Sequence, residues 1–162
     1  MLKALAALVG VLNKAKAHAE SKKLSWMDFE PALLTDKLVF DQLDFTKQVQ
    51  VACDNAKGVA ARLAEVEIPK FEDNEKTFTE LATRVQKTID FVKSIKPEQV
   101  IGKEGVVVSL SYWNGKTLTG FEYVTEYAMP NFYFHITTAY SILRKNGINI
   151  GKSDYIGTLS LK

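Results

Sequence analysis

The sequence predicts an all-α fold, a four-helix bundle with a small β-hairpin between the third and fourth helices. Three observations predict it. Apolar residues recur at 3.6-residue spacing in four separate stretches. Only residues 105–120 switch to a period of two, around an Asn-Gly pair. The stretch 121–146 places Val124, Ala128, Asn131, His135, Thr138 and Ile142 on one narrow stripe when projected at about 100° per residue. That stripe is expected to point inward, and it carries an imidazole and a carboxamide one turn apart.

The first helix is expected over residues 2–22, with Leu5, Leu8, Leu12, Ala15 and Ala19 facing the core and lysines in the last turn facing the negative end of the dipole. His18 lies on the flank of that face, either as a boundary histidine bonded to a carbonyl or water, or as a member of a site. Residues 24–44 break the period around Pro31. A connection of that length carries small elements or a function, and Trp26, Phe29, Leu33 and Phe40 are expected to pack it as a lid over one end of the bundle.

The second helix, residues 45–65, spaces Phe45, Val49, Ala52, Ala56, Val59 and Leu63 as a seam of mostly small residues that lets neighbouring helices approach closely. Asp54 projects to the opposite side with Val51, Gly58 and Ala61. There it is either a solvated acid or, if buried, a carboxylate that needs a partner. The strap VEIPKFED follows, extended by Pro69. Its eight residues can reach on the order of 27 Å, far enough to set the second and third helices parallel. The third helix is expected from residue 74 to 95, capped by Asp73 or Asn74, with Phe78, Leu81, Val85, Val92 and Ile95 inward and Pro97 as its stop.

The hairpin turns at Asn114-Gly115, and a lone hairpin of this size must pack on the bundle. The fourth helix begins near Phe121. Pro130 cannot donate to the carbonyl of Glu126 and is expected to kink the helix just before Asn131 and His135. Gly147 ends it, and the glycine-containing tail is expected to wrap the surface as coil.

A chain of 162 residues with 46% hydrophobic and 25% charged residues is most simply one domain, residues 1–162, with a core of its own. A formal charge of +2, with only Arg62, Arg84 and Arg144 among the arginines, gives no phosphate-tracking groove, so no nucleic-acid partner is expected. No apolar run approaches the roughly 20 residues that span a bilayer, so no membrane partner is expected either. Cys53 is the only cysteine, which points to a reducing, cytoplasmic setting. Lys3, ALAALVGVL and AKAHA have the layout of a secretory signal, yet the helical period of residues 5–19 runs straight through the cleavage point.

There is no phosphate loop, nucleophile elbow, CxxC or HExxH. Cys53 on an apolar flank is expected to have a raised pKa and to be inert. Asn131 and His135 on one helix, with an acid such as Asp54 from a neighbour, have the layout of a bundle metal site. Asparagine is a poor ligand for transition metals, and a histidine on an apolar face is commonly a hydrogen-bonded core residue.

The strings QVQVACDNAKG and PNFYFHITTAYSILRKNGINIGKSDYIG, in the order helix, long connection, helix, EIPKFED, helix, hairpin, helix, resemble an uncharacterised branch of the DinB/YfiT-like superfamily over nearly the whole chain. The resemblance implies a four-helix bundle with up-down-down-up connectivity. It also implies a divalent metal (Zn, Ni or Mn) held by one histidine of the second helix and an HxxxH pair of the fourth, and in some members thiol-dependent transferase or isomerase chemistry. Matched residue by residue, the second histidine of the pair is His135, the first falls on Asn131, and the second-helix ligand falls on or beside Asp54. Two of three ligands are altered, and His18, Asp54, Lys57, Asn131 and His135 are expected to form a replacement polar cluster. Two readings follow. One is a small-ligand binding or interaction protein, a homodimer in the manner of the superfamily, with exposed Tyr133 and Tyr140 near the interface and no metal. The other is a metal-dependent enzyme with His135, Asp54 and Asn131 as ligands.

Overall fold

Each of the four periodicities becomes a helical stretch, and most of the residues its spacing selects are buried; among those that stay half-buried are Val92 and Ile95 on the third and Val124 on the fourth. The structure is a computed structural model and describes residues 1–161. Its elements are α1 (Leu2–Ser21), α2 (Trp26–Thr35), α3 (Phe45–Ala64), α4 (Phe78–Ser94), β1 (Val107–Val108), β2 (Leu118–Thr119), α5 (Gly120–Glu122), α6 (Met129–Lys145) and α7 (Lys152–Ile156). A π-helical turn, Tyr123–Ala128, joins α5 to α6. The helices α1, α3, α4 and α6 form the bundle, with α4 lying between α1 and α3, and α3 between α4 and α6.

The starts of α3 and α4 are fixed by side-chain caps. Asp44 accepts from Lys47 N at 2.8 Å to open α3, and Thr77 accepts from Glu80 N at 3.1 Å to open α4. α4 therefore begins after residue 74, because the end of the strap is pinned by other bonds described below. The rings of Phe45 and Phe78, the first residues of α3 and α4, lie 5.3 Å apart. The two helices thus start at the same end and run parallel, as the reach of the strap allows. At the other side of α3, Gln48 near its start meets His135 of α6, while Arg62 near its end meets Tyr123 before α6 begins. α6 is therefore antiparallel to α3, which gives up-down-down-up connectivity.

Among the described residues the apolar side chains gather in two clusters. The larger, including Leu5, Leu12, Phe45, Leu81, Phe132 and Ile142, sits between the four bundle helices. The smaller gathers Val59, Val108, Leu110, Tyr123 and Ala128 under the hairpin. The hairpin pairs Val107 with Thr119 and Val108 with Leu118 only. Asn114 (φ 52°) and Gly115 (φ 80°) make the expected turn, closed by Lys116 N donating to Trp113 O at 3.0 Å. Residues Ser111–Trp113 wind into a 3-10 turn, so the ladder stops short of the predicted strands.

Four expectations are corrected. The lid over residues 24–44 is built on α2 with Leu33 at 1% exposure, but Phe40 is 91% exposed and takes no part in it. Pro130 is accommodated by the π-helical turn before it, in which Met129 N donates to Val124 O five residues back. The tail is not a surface coil: Ile148 and Ile150 are buried in the main core and α7 packs on α1. Tyr140 is likewise not an exposed aromatic, since it is half-buried against Tyr155 of α7, at 5.5 Å between centroids. Among the described residues no helix is long and apolar enough to cross a membrane.

Candidate functional site

The five residues singled out from the sequence divide among separate environments. Asp54, on the strap side of α3, is a half-exposed carboxylate whose Oδ1 accepts from Lys57 Nζ at 2.9 Å and from Arg84 Nη2 at 2.8 Å. Lys57 is 5% exposed, and its ammonium lies 4.1 Å from the centroid of the Phe71 ring in the strap. Arg84, projecting from α4 at 2% exposure, also bonds Asp73 at 2.9 Å and Glu75 at 2.9 Å. Burial opposes the Arg84 charge, but the hydrogen bond to Glu75 and the fields of Asp54 and Glu75 outweigh it and raise its pKa. This network sews the strap to α3 and α4.

His135 is 8% exposed and faces α3 elsewhere. Its Nδ1 lies 2.7 Å from Gln48 Oε1. Gln48 Nε2 donates to Leu43 O at 3.0 Å, which fixes the carboxamide so that its oxygen faces the ring. Nδ1 therefore carries the proton. Burial pushes the His135 pKa below its usual value, so the ring is neutral at pH 7. His18, half-buried near the end of α1, belongs to neither group; its backbone carbonyl accepts from Lys22 N and Ser21 Oγ.

Asn131 faces a third place, a cavity of about 210 Å³ between α3, the hairpin and the π-helical turn. From α3 it is lined by Val51, Asp54, Asn55 and Arg62. Tyr112, Tyr123 and Tyr127 form the facing wall. The π-helical turn shifts the phase of the chain, so that Tyr123, not Val124, is buried and stacks on Tyr127 at 6.0 Å. The hydroxyls of Tyr112 and Tyr127 bond each other, and Asn131 Nδ2 approaches Tyr127 Oη at a long 3.5 Å. Burial, and then the bond to Tyr127, raise the Tyr112 pKa, so this hydroxyl stays protonated. Asn55 is 8% exposed, and its Oδ1 has no hydrogen-bond partner among the described residues.

A scan against protein families matches residues 1–156 to a domain of unknown function, DUF1993. The chain belongs to the DUF1993 family. A search of solved structures finds the crystal structure of a DinB family member protein from Shewanella denitrificans, 41% identical, covering 99% of this chain and 89% of that chain, with a TM-score of 0.91. No curated protein matches the chain. The DUF1993 chain is thus DinB-like over its whole length, as the two sequence strings suggest.

In this DUF1993 protein the superfamily's three-ligand metal arrangement does not fit the residues present. Asp54 Oδ1 already holds an ammonium and a guanidinium, and His135 Nδ1 is bonded to Gln48. Cys53, the neighbour of Asp54, is fully buried, and burial pushes its thiol up to about 11. Among the described residues no three His, Cys, Asp or Glu side chains gather where a metal could be held. Asp54 and Asn131 do share a cavity wall, while Lys57 pairs with Asp54 and His135 and His18 stand apart.

Gln48, Asn55, Arg62, Arg84 and the three tyrosines are absent from the residues chosen by sequence. A signal for some of them exists. Gln48 and Gln50 are uncharged polar residues flanking Val49 on the α3 seam, and Asn55, Gly58 and Arg62 repeat at helical spacing beside Asp54.

Proposed function

We propose that this protein binds a small molecule in the cavity beside Asn131, and that the polar lining of this cavity stands where DinB-like proteins are expected to carry a metal. The observation that carries the reading is the Asn55 carboxamide. It is an acceptor nearly removed from water, on a cavity wall, with no partner among the described residues. Buried polar groups are normally paired, and one left unpaired at a cavity is a group that a ligand can satisfy. At about 210 Å³ the cavity is smaller than the roughly 300 Å³ lower limit of drug-sized pockets, which suits a metabolite-sized molecule.

The test is a thermal-shift and ligand-observed NMR screen of metabolite-sized fragments against the parent and Val51→Trp, which fills the cavity from α3. A fragment present at about a hundred times its Kd raises the parent Tm by roughly 5–10 °C and leaves Val51→Trp unmoved. If no fragment binds, or if binding survives in Val51→Trp, the reading fails. Elemental analysis of protein purified without a histidine tag addresses the metalloenzyme reading directly. Stoichiometric Zn, Ni or Mn that disappears in His135→Ala would establish that reading instead.

A further inference from the structure

Arg62 differs from Arg84 and, like Arg144, has no carboxylate beside it among the described residues. Arg84 meets three carboxylates and Arg144 lies against the Ile148 carbonyl, but among the described residues no acid pairs with Arg62. Its Nη1 donates to Tyr123 Oη at 3.1 Å, and its guanidinium carbon lies 5.8 Å from the centroid of that ring. The guanidinium folds back along α3 over Gly58, where a Cβ would collide with Nη1. The glycine thereby lets a charged group from two turns away lie toward Asn55, in the direction helical side chains lean. The other charge on the cavity wall, Asp54, is already countered by Lys57 and Arg84. Among the described residues the lining therefore has one uncountered positive charge.

We infer that the cavity takes a small aromatic carboxylate, its carboxylate on the Arg62 guanidinium, its ring against the tyrosine wall and a hydrogen-bonding substituent at Asn55. This rests on the ligand-binding reading above and names the class of ligand. A single planar guanidinium presents paired N–H groups that match a carboxylate, whereas a phosphate dianion calls for more than one cation or a row of backbone N–H groups. The stacked Tyr123 and Tyr127 rings, with Leu110 and Val51 nearby, favour a flat apolar body. Rotation of the Asn55 carboxamide about χ2 can present either its oxygen or its NH2 to the cavity, so a phenolic or anilinic substituent is served equally.

The experiment is isothermal titration calorimetry of the full chain with benzoate, 4-hydroxybenzoate and 4-hydroxybenzyl alcohol, for the parent, Arg62→Gln and Gly58→Ala. The expected order on the parent is 4-hydroxybenzoate tightest, benzoate weaker, and the alcohol roughly ten- to a hundredfold weaker than 4-hydroxybenzoate, the usual range for a charge-assisted bond. Gly58→Ala displaces only the tip of a flexible side chain and installs a better helix former, so its Tm does not fall. Both variants are expected to bind 4-hydroxybenzoate no better than the alcohol, and to bind the alcohol as the parent does. Equal affinity of the parent for acid and alcohol overturns the carboxylate assignment and leaves the cavity reading standing. So does unchanged 4-hydroxybenzoate binding in Gly58→Ala and Arg62→Gln. Failure of both acids to bind while fragments of another class bind overturns the assignment alone, and failure of every fragment removes both.

Discussion

Cys53 lies fully buried on α3 with Thr88 of α4 as its hydrogen-bonding neighbour, and burial is the first cause of its raised thiol pKa. A thiol in that setting is a packing group, because the thiolate that reacts is scarce and unreachable. Folded protein at pH 8 is therefore expected to release no chromophore from Ellman's reagent within minutes, and one equivalent after unfolding in guanidinium. Rapid release from the native state would show that α3 and α4 separate there. His135 titrates in the opposite sense. Its folded pKa is depressed by burial below the usual 6.5, so in acid the unfolded chain takes up the proton first. The stability it contributes is complete above about 6.5 and is lost as pH falls from there through the folded value. Tm measured from pH 7.5 down to 5 is expected to drop for the parent and to drop less for His135→Gln. Parallel curves would show that the ring is not the group being charged.

At the scale of elements, the strap and the π-helical turn are the two pieces that place the site. The strap ends extended because Glu75 and Asp73 are held by Arg84 and Gln50, which delays the start of α4 and ties it to α3. Of the acids around Arg84, Asp54 and Asp73 have side chains 45% and 41% exposed and could be solvated, whereas Glu75 is only 9% exposed. Removing the guanidinium leaves Glu75 buried without its cation, which is the costly outcome for a broken buried pair. Arg84→Met is expected to lower stability by about 3 kcal/mol in urea unfolding. A loss below about 1 kcal/mol would place the strap's attachment elsewhere. The second piece, the π-helical turn, was legible only as trouble at Pro130. A missing N–H announces that the α-helical ladder must break, but a kink and an extra residue in the turn are alternative repairs. The repair taken rotates Tyr123 inward and so creates the tyrosine wall, a consequence that a straight projection through Val124 and Ala128 cannot contain.

At the scale of the molecule, the core reaches past the fourth bundle helix. Gly147, at φ 79°, turns the chain so that Ile148 N bonds Leu143 O at 3.1 Å, and Ile148 enters the core at 0% exposure. α7 then closes against α1, with Lys14 Nζ 2.6 Å from Asp154 Oδ1. Ile148→Ala is expected to cost about 2–4 kcal/mol with an unchanged m value, a cost typical of truncating a buried aliphatic side chain. A cost near zero would return the tail to the surface. Ile148 and Ile150 alternate with Asn149 over too short a span to show a period, which is why the tail reads as coil from sequence.

The bundle, the hairpin turn and the buried states of Cys53 and His135 follow from the sequence by itself, since each depends on local spacing, apolar periods and an Asn-Gly pair, whereas the reach of the strap permits parallel middle helices without requiring them. Which polar residues meet was decided only by the tertiary structure. Asp54, Asn131 and His135 are grouped into one candidate site by the layout of bundle metal sites and by the family resemblance, yet Arg84 and Lys57 claim the first, Gln48 claims the last, and the second opens on a cavity with Asn55, Arg62 and three tyrosines. The physical reason is that a period reports which face a side chain occupies, while partnership depends on relative helix rotation and height, set by how whole surfaces pack.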